Sequence, residues 1–206
     1  MKEIFEKKWD RFLTESSLSR IHQHMMEHET AVISAYRNDI HDSKECTDNA
    51  VVAGEGDKNI LRSRDLKATL LSQGFGVTKV QGSYIENYKT DAAIEVAEKS
   101  LLVVNLTDNE EFFSLISQLG EKFCQDSVLL IPRGGKNVFL RGTNNHEFPG
   151  YGNDVEQGDI KMGEHHEFMT RVGGRSFAAL DEIQTYKDLS KNSRMAVKSI
   201  AKRILE

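Results

Sequence analysis

The sequence predicts an α+β protein of the ferredoxin-like kind: a split βαβ two-layer sandwich with an extra hairpin strand and N- and C-terminal helices. Three observations carry this. Between residues 30 and 142, β-rich runs and amphipathic runs follow one another in the order β-α-β-β-α-β. Both helical runs carry a single apolar stripe, which is what a helix needs to cover one face of a sheet. The pair Gly134-Gly135 then reads as a two-residue hairpin turn into a fifth strand.

The elements follow in chain order. Ile4, Phe5, Trp9, Phe12 and Leu13, then Leu18, Ile21, Met25 and Met26, recur at three- and four-residue spacing. Residues 1–29 therefore open the chain as amphipathic helix, whole or broken near Ser16-Ser17. "TAVISAYR" is a strand over 30–37, and the polar, Gly-containing stretch 38–57 is a long loop. "NILRSRDLKATLLSQG" is a helix stopped by Gly74. "FGVTKVQGSY" and "KSLLVVNLT" are the second and third strands. A helix follows with Thr107 and Glu110 as its capping box and Phe112, Leu115, Ile116, Leu119 and Phe123 as its stripe. "DSVLLIPR" and "KNVFLRGT" complete the core domain, 30–142. Residues 143–189, rich in Gly, Asn and charge, read as an irregular extended region in which "GGRSFAAL" offers a short strand or turn. Residues 190–206 read as a basic amphipathic helix.

Composition narrows the classes. A chain of 206 residues supports one domain with appended helices, and ten Phe can fill its core. The net charge of -5 argues against a protein drawn as a whole to nucleic acid. No apolar run approaches a bilayer-spanning length, and the charged N-terminus lacks the apolar stretch of a signal peptide. Cys46 and Cys124 lie far apart with no CxxC, so two free thiols in a reducing cytoplasm are expected. The expected location is the cytoplasm, with no membrane partner.

In the split βαβ topology, polar residues at the ends of the central strands meet. Those residues are Ser34 and Arg37, then Gln81, Tyr84 and Glu86, then Gln125, Asp126 and Ser127. Arg37 beside Glu86 or Asp126 can fix a carboxylate or hold a phosphate through its fork of donors. Either this is a ligand-binding cluster or the groups satisfy one another. His24 and His28 belong to an H-x-x-E-H stretch, but no further glutamate ligand can be assigned, and a solvated helix face is the better account. The "EHHE" run at 164–167 gives no metal geometry by itself. "PRGGKN" lacks the phosphate-loop pattern and sits between strands. No G-x-S-x-G elbow exists, and neither cysteine has a sequence-adjacent histidine. No catalytic residue, metal or cofactor is assigned from the residues.

"VISAYR", "GFGVTKVQGSYIENY", "KSLLVVN" and "FCQDSVLLIP" together resemble a family of uncharacterised bacterial and bacteriophage proteins. That family carries I-S-A-x-R, V-x-G-x-Y, E-x-S and Q-[DE]-S-V patterns. The matching positions are Ser34, Arg37, Gly82, Tyr84, Glu98, Ser100, Gln125, Asp126 and Ser127. The resemblance implies a phage-type accessory or virion-associated protein that works through a protein partner, in the host cytoplasm or the virion. The alternative is a small cytosolic enzyme or ligand-binding protein whose polar pocket takes a phosphate-bearing substrate, such as a nucleotide or nucleic acid. Arg37 would then hold the phosphate. A nucleic-acid-binding module ranks last, because the strands lack the aromatic signature of RNA-binding sheets.

Overall fold

The computed structural model describes residues 21–37, 57–86, 94–145, 148–162, 169–172, 175–179 and 183–205. For residues 57–58, 83–86, 94–98, 162, 169–172 and 175–179 it describes the backbone alone. The strands are β1 (Thr30–Ile33), β2 (Gly76–Glu86), β3 (Ile94–Val104), β4 (Ser127–Ile131), β5 (Val138–Gly142), β6 (Asp154–Gly158), β7 (Lys161–Met162), β8 (Met169–Val172) and β9 (Arg175–Ala179). The helices are α1 (residues 21–27 as described), α2 (Asp57–Ser72), α3 (Phe112–Lys122) and α4 (Lys191–Leu205).

All nine strands form one sheet in the order β6-β5-β4-β1-β3-β2-β9-β8-β7. Its middle, β4-β1-β3-β2, is antiparallel throughout. That is the expected split βαβ arrangement, with β5 as the added hairpin strand. Alternation sets the two faces. Ala31, Ile33, Val77, Leu101, Val103 and Leu130 join Leu66, Leu70, Phe112, Ile116 and Phe123 in the core beneath α2, α3 and α4. Val32, Leu102, Leu129, Ile131 and Leu140 form a second core with Ile21 and Met25 of α1. β1 is buried at every position because both of its faces are covered, which is why "TAVI" shows no polar alternation.

Four expectations fail. The strand read as 30–37 ends at Ile33. The turn between β4 and β5 takes residues 132–137 instead of two glycines, although Gly134 and Gly135 do adopt positive φ (88° and 65°). No Thr107–Glu110 capping box forms: α3 begins at Phe112 after Glu111, with no side-chain cap. Asn105 does that work upstream, its Oδ1 accepting from the Asn109 amide at 2.9 Å, and Asn109 Oδ1 accepts from the Glu111 amide at 2.9 Å. The segment expected to be irregular contributes strands β6 to β9 to the sheet. Among the described residues no helix is long and apolar enough to cross a membrane.

Gly142 marks the tightest approach in the fold. A Cβ there would lie 1.8 Å from the Gly150 carbonyl oxygen. The Gly142 amide donates to Asn153 O at 2.9 Å, and its carbonyl accepts from the Gly152 amide at 3.0 Å. Gly142→Ala is expected to destabilise by about 3 kcal/mol, since backbone must move to admit the methyl. Urea denaturation reads this directly.

His24 lies on α1, with Nδ1 buried and unpartnered among the described residues. Burial holds its pKa below the ordinary 6.5; the neighbouring His28 adds to this and Glu27 opposes it. A histidine depressed in the folded state takes up its proton more readily when unfolded, so stability is complete above pH 6.5 and falls as pH drops through that value. Denaturation midpoints measured from pH 7 to 5 should decline, and His24→Leu should flatten the decline.

Candidate functional site

β1 ends at Ile33, and the next four residues run between the start of α2 and the end of α3. No neighbouring strand completes their hydrogen bonds, and side chains do it instead. Arg62 Nε donates to Ala35 O at 2.8 Å. Gln125 Nε2 donates to Tyr36 O at 3.4 Å. Asn59 Nδ2 donates to Arg37 O at 3.1 Å, while Asn59 Oδ1 accepts from the Arg37 amide at 3.2 Å. The Asn59 amide thus pairs with residue 37 as an opposing strand would. Ser34 Oγ accepts from the Tyr36 amide at 3.0 Å and donates to Lys99 O at 3.0 Å.

The other wall is the link between α3 and β4. α3 stops in a Schellman turn with Cys124 at φ 53°. The Gln125 amide returns to Gly120 O at 2.9 Å and the Cys124 amide to Glu121 O at 2.9 Å. This turn aims the Phe123 and Cys124 carbonyls at two guanidinium groups. Arg62 donates through Nη2 to Phe123 O, and Arg37 Nη1 donates to Cys124 O at 2.7 Å. Arg37 Nη1 also donates to Asp126 Oδ1 at 2.7 Å. Asn144 Nδ2 meets the same oxygen at 2.7 Å. Thr143 Oγ1 donates to Gln125 O at 2.6 Å, and the Thr143 amide donates to Asp126 O at 3.0 Å. Gly120 allows this: a Cβ there would stand 2.8 Å from the Thr143 methyl.

The charges are unequal. Arg62 is buried, and its pKa falls to about 10, first through burial and then through the positive charge of Arg37. Asp126 is 44% exposed and Arg37 17%. Both side-chain bonds to Asp126 reach Oδ1, so among the described residues Oδ2 has no partner.

The structure brings together Arg37, Gln125 and Asp126, while the Ser34 hydroxyl is held by the Tyr36 amide and Lys99 O. Of the two carboxylates expected beside Arg37, Asp126 is the one described there. Ser127 opens β4 opposite Gly142. Gln81 is exposed on β2, a strand separated from β1 by β3, hence about 10 Å from it laterally. Tyr84 and Glu86 stand in the β2–β3 register opposite Val96 and Ile94; their side chains lie outside the described ones. Asn59, Arg62 and Asn144 join the cluster without having been anticipated. Cys124 is disulfide-bonded, which corrects the expectation of a free thiol there; Cys46 lies outside the described residues. So do the loop 38–56 and the "EHHE" run. Among the described residues no group of three or more His, Cys, Asp or Glu is placed to hold a metal.

The α+β domain thus sets a buried arginine, Arg62, and a half-buried one, Arg37, beside one half-exposed carboxylate, Asp126. The chain matches the S-adenosylmethionine lyase family over residues 31–180, and it belongs to that family. None of the curated proteins matches it. The match overturns the reading as a phage-type or virion-associated accessory protein, because the family is one of enzymes. It favours the alternative, a small enzyme.

Removing Arg62 withdraws the donors to Ala35 O and Phe123 O in a buried setting. Arg62→Met is expected to cost about 3 kcal/mol in urea denaturation. Arg62→Lys should recover only part, since one ammonium cannot span two carbonyls as a guanidinium fork does.

Proposed function

We propose that this protein cleaves S-adenosylmethionine at a carbon–sulfur bond. The observation that carries the proposal is the family match, which contains Arg37, Asn59, Arg62, Asp126 and Asn144 within residues 31–180. The chemistry suits a site of this kind. A sulfonium sulfur departs as a neutral thioether, so the leaving group needs no proton. The electron pair for the new bond comes either from the substrate's own carboxylate or from loss of a proton to a base. Both routes depend on orientation and on charge placed in advance, more than on a strong nucleophile in the protein.

Asp126 is the residue to which we assign the cationic substrate. Arg37 and Asn144 fix its orientation through Oδ1, leaving Oδ2 for a sulfonium or ammonium centre. Arg37 is engaged with Cys124 O and Asp126, so its role is to position that carboxylate. This replaces the phosphate-holding role expected of it, since S-adenosylmethionine carries no phosphate.

The test is incubation of purified protein with S-adenosylmethionine, with chromatography following its loss and the appearance of a thioether nucleoside. Wild type should consume the substrate. Asp126→Asn should lower kcat/KM by about a hundredfold, with a melting temperature close to that of wild type. No consumption by wild type would end the lyase reading, and an undiminished rate in Asp126→Asn would remove Asp126 from it.

A further inference from the structure

α4 lies beyond the residues matched by the family, and its charge runs against that of the chain. The sequence KNSRMAVKSIAKRIL holds five basic residues and no acidic one, in a protein of net charge -5. Val197, Ala201 and Ile204 face the core, while Lys191, Lys198, Lys202 and Arg203 are exposed. Beside them α2 presents Arg64. Arg64 and Arg203 are each 64% exposed and share one carboxylate, Asp65, which is only 10% exposed. The contacts are 3.5 Å from Arg64 Nη2 and 2.6 Å from Arg203 Nη2. One buried negative charge thus orients two outward guanidiniums and leaves them a net positive charge.

We propose that this outer face of α2 and α4 binds the phosphate backbone of double-stranded DNA without reading its sequence. Lys191 to Lys202 spans eleven residues of helix, about 16 Å. At about 3.4 Å of axial rise per nucleotide in one strand, that stripe faces about five successive phosphates. The alternatives fit less well. α4 buries its apolar face in the core, so it has no such face to lay into a membrane surface. Single strands need aromatic platforms, and the ring of Tyr186 on this face is already covered by Arg194 at 5.5 Å and Lys198 at 6.0 Å. The negative charge elsewhere acts weakly across the molecule, because about 10 Å of ordinary salt solution screens it.

Fluorescence anisotropy with a labelled 20-base-pair duplex tests the proposal. Four neutralised phosphates predict a loss of affinity of about a hundredfold between 50 and 200 mM salt. Lys191→Glu/Lys198→Glu and, separately, Arg64→Glu should each weaken binding at least tenfold with melting temperatures near wild type. Lys136→Glu/Lys161→Glu, on other elements, should leave it intact. No binding at 50 mM salt, or binding indifferent to the first two variants, would overturn the proposal. So would tighter binding to phosphatidylserine vesicles, to duplex RNA or to a single strand of the same length. None of these readings depends on lyase activity.

Discussion

The fold and the site both depend on how residues 35 to 37 satisfy their backbone. β1 is paired with β3 only as far as Ile33 and with β4 only as far as Val32. Beyond that point three buried or half-buried carbonyls would lack partners, each at a cost comparable to a lost hydrogen bond. Arg62, Gln125 and Asn59 supply one donor apiece. The donors come from the start of α2 and from the α3–β4 link, so satisfying the strand end also locks both helices to the sheet. The same contacts hold Arg37 where its guanidinium reaches Asp126.

This explains why the site is polar yet rigid. A guanidinium buried like Arg62 is tolerated only with its donors used, and Ala35 O and Phe123 O use them. The Schellman turn at Cys124 exposes carbonyls that a longer helix would have hidden, and it delivers Asp126 to the first residues of β4. Behind Asp126, the close packing at Gly120 and Gly142 holds Thr143 and Asn144 against it. Orientation of one carboxylate therefore rests on contacts spread over α3, β5 and the turn after it.

Much of this was legible in the sequence. The strand order follows from the β-α-β-β-α-β sequence of patterns, because strands buried on both faces read as plain apolar runs. Ser34, Arg37, Gln125 and Asp126 were legible as strand-end polar residues. Asn59 and Arg62 were not, since polar residues on a helix are ordinarily assigned to solvent. Their signal was positional: 59, 62, 66 and 70 recur at helical spacing, so both residues stand in line with the buried Leu66 and Leu70. Of the outer strands only β9 was legible, within "GGRSFAAL"; β6 to β8 were not, because they are short, and β6 is polar and at most half-buried. β6 forms through pairing with a sheet already made, and DVEQG carries little intrinsic β character.

Among the described residues the sheet of nine strands ends in two edges, and a sheet edge can template pairing with another chain. Here the edges are β6, five residues carrying Asp154 and Glu156, and β7, two residues beginning with Lys161. Short length and charge are the ordinary means of discouraging such association. A further guard is Gly158, whose φ of 86° breaks the extended line where β6 ends. Among the described residues the sheet can therefore widen outward from its four-stranded centre and still end on short, charged borders, which are poor templates for fibril growth.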